Sequence, residues 1–315
     1  MRQLIVSIAT RGRPERLVET VRRNLKNAKS PHTIICVALD DDDKASQAAL
    51  SKLAAEIDPE GKQIVASVRE REDTIAEKWN RAFKIPGDCY VAVGDDDPIA
   101  TEGYDEKILE AASLFPDGIG MVYGHMANLS FSGVVAPTRR LCEKMGDKIF
   151  PEYFPYWFCD HWTDDLAKII GRIVHADVRT DQSRPGKTQE MREPGWWATW
   201  FDAAYLMRRK QAFAIIDDPE LQTADWQKKQ LKTLAGFVEM RSRWINDNVR
   251  QTSGQLEGWY GRHDVDERYK RIKQRAVEMI PSLLNDYGMP ANEVAMFSRI
   301  LTPPTSIAGL KRAFA

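Results

Sequence analysis

The chain lacks the usual marks of a secreted, disulfide-built or membrane-spanning protein. Its 315 residues include four cysteines, Cys36, Cys89, Cys142 and Cys159, far apart and with no Cys-x-x-Cys pair. That excludes a disulfide framework and gives no zinc-ligand spacing. Cys36 and Cys89 stand inside apolar runs, where cysteine serves as a small core residue. No run approaches the roughly 18 apolar residues of a membrane span. The apolar stretch within Met1 to Arg13 is too short for a signal peptide and turns charged at once. A soluble, cytoplasmic protein is the expectation. Charge of one sign is missing too: 45 Lys and Arg balance 46 Asp and Glu, a formal net charge of −1. No global field draws such a chain to nucleic acid or membrane, so any polyanion contact needs a local patch.

What is present is a strand–helix alternation, with enough apolar content (43%) for one large domain or two. Leu4 to Ala9, Thr33 to Leu39, Gln63 to Val68 and Cys89 to Val93 read as buried strands. Helical patterns follow from Pro14, from Lys44 to Ile57 and from Thr74 to Phe83. Continuous apolar strands alternating with amphipathic helices predict a parallel sheet covered on both faces. Ligands of such sheets bind beyond the carboxyl ends of the strands. Thr10 to Arg13, Asp40 to Asp43 and Asp95 to Asp97 all fall there. A helix over Glu102 to Phe115, a strand over Ile119 to Gly124 and a hairpin over Asn128 to Pro137 come next. An aromatic run from Phe150 to Trp162 then leads into a helix through Ile170. Past Gly195 the alternation stops and helical stripes take over, over Thr223 to Val249 and Val265 to Leu284. The division expected is 1–195 as the ligand-binding and catalytic domain and 196–315 as a mainly helical accessory region.

Asp95-Asp96-Asp97 is the most telling segment. Three carboxylates closing a buried strand repel one another and are costly to desolvate, unless a divalent cation neutralises them. Mn²⁺ or Mg²⁺ held against nucleotide phosphates meets that need; a solvated acidic turn is the bland alternative.

The opening Ile5-Val6-Ser7-Ile8-Ala9-Thr10-Arg11-Gly12-Arg13-Pro14 resembles the first strand and loop of family-2-like nucleotide-sugar glycosyltransferases of the GT-A fold. Val37-Ala38-Leu39-Asp40-Asp41 is similar to their second strand, Ile75-Ala76-Glu77-Lys78-Trp79-Asn80 to the helix before the metal strand, and Gly94-Asp95-Asp96-Asp97 to their DxD motif. The likeness covers about the first 180 residues. It implies an α/β, Rossmann-like, mostly parallel sheet flanked by helices, with a mainly helical C-terminal region. It also implies a donor site of Thr10, Arg11, Arg13, Asp40, Asp41, Lys78, Asn80, Asp95 and Asp96. Asp97 is the stronger metal ligand, with Asp95 nearer the ribose and also a candidate ligand. Lys78 and Asn80 lie two residues apart on a helix, so at most one faces the site. Asp42 and Asp43 have a simpler role open to them, capping and charging the next helix N-terminus.

The acceptor hydroxyl loses a proton, so a base is needed. The resemblance implies an acid at a helix start beyond the DxD strand. Asp160 fits as an N-cap with Asp164 one turn on, and Asp165 is the alternative; a role confined to the helix dipole is open to each. The aromatic run is expected to leave part of itself as an acceptor platform, with Trp157, His161 and Trp162 as contacts. Many relatives carry a late histidine as a further metal ligand; here His175 comes early and Asp181 stands near the expected place. Ser183 to Lys187 reads as a basic loop able to close over a diphosphate.

The leading expectation is a metal-dependent, hexosyltransferase-like enzyme using a UDP-sugar on a glycan or lipid-linked hydroxyl, with inversion preferred and a retaining course open. A hydroxymethylated base in DNA is the alternative acceptor, favoured by fifteen Lys or Arg against eleven Asp or Glu over Tyr205 to Ile280, interleaved with Trp and Tyr. A nucleotidyltransferase would carry a Gly-rich loop after strand one, where this chain has Gly12 alone. A non-enzymatic nucleotide-binding or acidic Ca²⁺-binding scaffold is the remaining alternative.

Overall fold

The structure is a computed structural model and describes residues 2–125, 133–181, 193–252 and 267–302. β1 (Leu4–Ala9) lies between β2 (Ile34–Asp40) and β4 (Cys89–Gly94), with β3 (Ile64–Arg69) outside β2. All these pairings are parallel. Successive strands run outward from β1 to β3, then β4 returns to the other side of β1. That reversal makes the carboxyl ends of β1 and β4 the walls of a crevice. A second sheet, β6 (Val135–Pro137), β5 (Met121–His125) and β7 (Ile173–Arg179), continues beyond β4 through isolated bridges Cys89–Thr138 and Ile99–Thr180. β6 is antiparallel to β5, and it holds the described end of the expected hairpin.

Alternation along β1 sorts the core into two layers. Leu4, Val6 and Ile8 pack with α1 (Pro14–Asn27), α2 (Lys44–Ile57) and α4 (Tyr104–Ala112). Ile5, Cys36 and Tyr90 face the opposite layer, which holds α3 (Ile75–Asn80), α6 (Cys159–Ile169) and the accessory helices. Pro14 opens α1, where its missing N–H costs nothing. Asp43 caps α2 by accepting from the Ser46 N–H at 3.2 Å. A short helix after β6, α5 (Arg139–Lys144), capped by Thr138, was not anticipated from the sequence.

The C-terminal half is helical as expected: α7 (Pro194–Ala203), α8 (Tyr205–Asp217), α9 (Asp225–Thr252), α10 (Glu267–Asn285) and α11 (Ala291–Leu301). One apolar cluster runs without a break from Ile5 through Trp197 to Leu301. Phe150, Phe154, Phe158, Trp162, Trp196, Trp197 and Trp200 are all buried in it. Trp162 is buried, with its indole N–H donating to Gln211 at 2.9 Å, and it lines a cavity of about 510 Å³ together with Glu152 and Tyr153. Tyr153, Tyr156 and Trp157 are the half-buried members of the run. Among the described residues no helix is long and apolar enough to cross a membrane.

Candidate donor crevice and base

Asp40 ends β2 fully buried, with Lys78 Nζ at 2.6 Å, Arg11 Nη1 at 2.8 Å and Arg81 at 4.0 Å. A carboxylate so enclosed ties the loop after β1 to α3; it is not an open acceptor for a ribose. Lys78 also donates to the Thr10 carbonyl at 3.2 Å, and burial lowers its pKa. Asn80 turns the other way. Its amide nitrogen donates to Phe150 O and Glu152 Oε1, each at 2.9 Å, and its oxygen accepts from the N–H groups of Ile149 and Phe150. Two positions apart on a helix, the two side chains leave on different faces, so Asn80 holds the start of the aromatic run and is removed from the donor set. Asp41 is exposed beside the buried Asp40. Arg11 also grips Asp42 with both terminal nitrogens, at 2.6 and 2.9 Å, while the Gly12 N–H donates to Asp43 at 2.6 Å. Asp42 thus serves Arg11 and Asp43 serves the helix start.

At Gly94 the chain leaves β4 and turns, with the Asp97 N–H reaching back to the Gly94 carbonyl at 3.4 Å. Strand alternation no longer decides where the acids point. Asp95 goes inward: it is fully buried, accepts from Thr10 Oγ1 at 2.5 Å and meets Arg13 Nη2 at 2.7 Å. Burial pushes its carboxyl above the usual range. Thr10 holds one of its oxygens and the Arg13 guanidinium faces the other, so Asp95 ties the turn that carries Asp96 and Asp97 to the loop after β1. Asp96 pairs with Arg13 at 2.9 Å and approaches Arg16 at 3.9 Å. Asp96 and Asp97 fold back over Gly94: a Cβ there would sit 2.6 Å from Asp96 Oδ1 and 3.3 Å from Asp97 Oδ2. Two hard carboxylate oxygens above a residue without a side chain fit Mg²⁺ or Mn²⁺, which take one or two carboxylates and complete their shell with phosphate and water. Among the described residues no cluster of three His, Cys, Asp or Glu converges as a protein-only metal site.

Asp181 lies beside this turn, its N–H donating to the Pro98 carbonyl at 2.8 Å, but its carboxylate pairs with Arg23 at 2.8 Å. His175 packs instead against Tyr123 and His125, with ring centroids 5.1 and 4.5 Å away. Ser183 to Lys187 lies outside the described residues. Sequence reasoning missed one polar stripe. Arg16, Thr20 and Arg23 recur at helical spacing on α1, and Thr20 Oγ1 donates to the Asp95 carbonyl at 2.7 Å. Attention to the polar as well as the apolar period of α1 would have found it.

The three candidate bases separate by environment. Asp164 is buried and ion-paired to Lys168. Asp165 is buried, accepts from Ser242 Oγ at 2.6 Å and lies 3.3 Å from Arg208, and burial pushes its carboxyl up to about 6. Asp160 is the second residue of α6, not its cap; the cap position belongs to Phe158, at φ 77°. Its side chain is 39% exposed, with Oδ1 accepting from the His161 N–H at 2.9 Å and lying 4.0 Å from His161 Nε2. The His161 ring packs against Phe158 and Phe201, and desolvation lowers its pKa.

No protein-family model and no curated protein sequence matches the chain. Solved structures do. The 1–349 segment of S. aureus TarS in complex with UDP-GlcNAc aligns at 12% identity over 95% of this chain and 90% of that one, with a TM-score of 0.56. Longer S. aureus TarS aligns at 12% identity over 99% of this chain and 54% of that one, at 0.51. The mannosyltransferase PcManGT from Pyrobaculum calidifontis, in complex with GDP-Man and Mn²⁺, aligns at 14% over 100% and 88%, at 0.47. At such identities the likeness is one of architecture: the chain has the GT-A fold of nucleotide-sugar glycosyltransferases.

Proposed function

We propose that the chain is a metal-dependent glycosyltransferase that moves a sugar from a nucleoside-diphosphate sugar to an acceptor hydroxyl, with inversion. The observation that carries this is the pair of carboxylates folded over Gly94 at the topological switch point, flanked by Arg13 and Arg16. Mn²⁺ or Mg²⁺ bound by Asp96 and Asp97 would take up charge on the departing diphosphate. Asp95 fixes the turn through Thr10 and Arg13, and the guanidinium groups add positive potential around the phosphates. Asp40 acts one step back, by positioning Arg11 and Lys78.

Asp160 is the base in this scheme, because its carboxylate is the open one of the three and accepts the proton leaving the acceptor hydroxyl. A single displacement with one such base inverts the anomeric centre. Residues 1–195 carry donor binding and catalysis, and the helices after them buttress α6. The UDP-GlcNAc bound to TarS supports a uridine donor.

The test is diphosphate release with Mn²⁺ across a panel of UDP- and GDP-sugars, with glycans and hydroxymethylated DNA as acceptors. One donor is expected to turn over and one acceptor class to accelerate it. Asp160→Asn should lower kcat by about 100-fold or more with donor affinity kept. No release from any donor would contradict the proposal.

A further inference from the structure

The cavity that Trp162 lines lies between the two halves of the chain. Its volume of about 510 Å³ falls within the range of small-molecule sites, about 300–1,000 Å³. One wall is the face of α10 on which Ile272, Arg275 and Met279 recur at helical spacing. Across from it stand Glu77 of α3, Lys148, Glu152, Tyr153 and Gln211 of α8.

This cavity is not part of the donor crevice. Lys78 and Trp79 turn to the crevice side, donating to the Thr10 and Val93 carbonyls at 3.2 and 3.1 Å, whereas Glu77 turns to the cavity. Asp160 and Trp162 likewise lie two positions apart on α6 and leave on different faces. An occupant is therefore neither the donor sugar nor the acceptor hydroxyl beside Asp160.

The uncommitted polar groups define the chemistry of that occupant. Among the described residues the Tyr153 hydroxyl makes no hydrogen bond, while its ring packs on Trp162 with centroids 5.2 Å apart. An indole N–H can only donate, so Trp162 engages the oxygen of Gln211 at 2.9 Å and leaves the two amide N–H donors to the cavity. Glu77 places one carboxylate oxygen on the backbone and hydroxyl of Thr74, at 2.7 and 3.0 Å, and keeps the other. The cations, by contrast, are already paired, Lys148 with Glu152 and Arg275 with Asp73. An anion would find no spare counter-charge among these lining residues, and a wholly apolar ligand would strand the polar groups. A hydroxyl, an amide and a carboxylate oxygen beside an aromatic ring suit a neutral polyol with one apolar ring face. We propose that this cavity is a saccharide-binding site, separate from the donor crevice and able to hold a sugar without nucleotide or metal.

Saturation-transfer NMR and calorimetry on the full chain, with methyl hexopyranosides, N-acetylglucosamine, cellobiose and maltose as probes, test this in the absence of nucleotide and Mn²⁺. At least one of these sugars should bind, with a Kd on the order of 1 mM, and UDP with Mn²⁺ should not displace it. Tyr153→Phe should weaken that binding about fivefold with an unchanged circular-dichroism melt, because the hydroxyl it removes has no partner in the protein. Gln211→Glu keeps an acceptor for Trp162, removes the amide donors and should weaken binding by a similar factor. No binding by any of these sugars at about 20 mM would overturn the proposal. So would displacement by UDP with Mn²⁺, which puts the sugar in the crevice, or an affinity that both substitutions leave unchanged, which puts it elsewhere. Orthophosphate binding that the same substitutions weaken would assign the cavity to an anion and overturn it equally. None of these outcomes depends on sugar transfer, which the experiment does not use.

Discussion

Asp160, Asp164 and Asp165 stand within six residues of one another and have three different surroundings: solvent, Lys168, and the Arg208–Ser242 pair. The sequence placed all three near a helix start but had no means of ranking them, because Arg208 and Ser242 arrive from α8 and α9. The same limit applied to Asp95, whose inward turn depends on Thr10 and Arg13 across the crevice. Asp165 gives a measurable consequence. Its folded pKa of about 6 lies above the ordinary aspartate value of about 3.9. Between those values the native state holds a proton that the unfolded chain releases, so this group's contribution to stability falls as pH rises from about 4 to about 6. Urea unfolding over that range should show the slope in the wild type and lose it in Asp165→Asn, a difference on the order of 2 kcal/mol. Parallel stability profiles for the two proteins would show that Asp165 does not titrate there.

Elements were the most legible scale. β1 and α2 begin and end where their apolar runs and flanking residues put them, since buried parallel strands are apolar throughout and Asp43 is a strong cap. The start of α6 was misplaced because Phe158 takes a left-handed conformation at the cap, which no propensity assigns to phenylalanine. Two substitutions probe how elements hold the site. Gly94→Ala should cost at least tenfold in metal-dependent nucleotide binding while leaving the fold intact, since its methyl group displaces the Asp96 and Asp97 carboxylates. Unchanged binding would mean that those oxygens are not the ligands. Asn80→Ala should instead lower stability, by about 2 kcal/mol for four lost hydrogen bonds, with the donor KM kept. A raised KM at unchanged stability would return Asn80 to the donor site.

Across the whole molecule, the mostly parallel sheet and the helical C-terminal region followed from the order of patterns along the chain, whereas the strand order that makes the switch point came from the structure. The depth to which the two halves share a core did not follow from those patterns either. Trp196, Trp197 and Trp200 show no more in sequence than an aromatic cluster, yet they are buried in the layer that also holds Phe154 and Trp162. Tyr269 accepts from the Trp197 indole N–H at 2.7 Å, and Arg271 and Arg275 reach Asp73, ahead of α3, at 2.6 and 2.9 Å. The C-terminal helices thereby brace the loop ahead of α3 directly, and α6 through the shared core. The central claim is that Asp97 and its neighbour hold a cation against a diphosphate. Calorimetric titration of UDP and of GDP, with and without Mn²⁺, into the wild type and Asp97→Ala tests it most directly. The account predicts Mn²⁺-dependent binding of one nucleotide by the wild type, weakened at least tenfold in Asp97→Ala; binding equally tight without metal, or unaltered by the substitution, would contradict it.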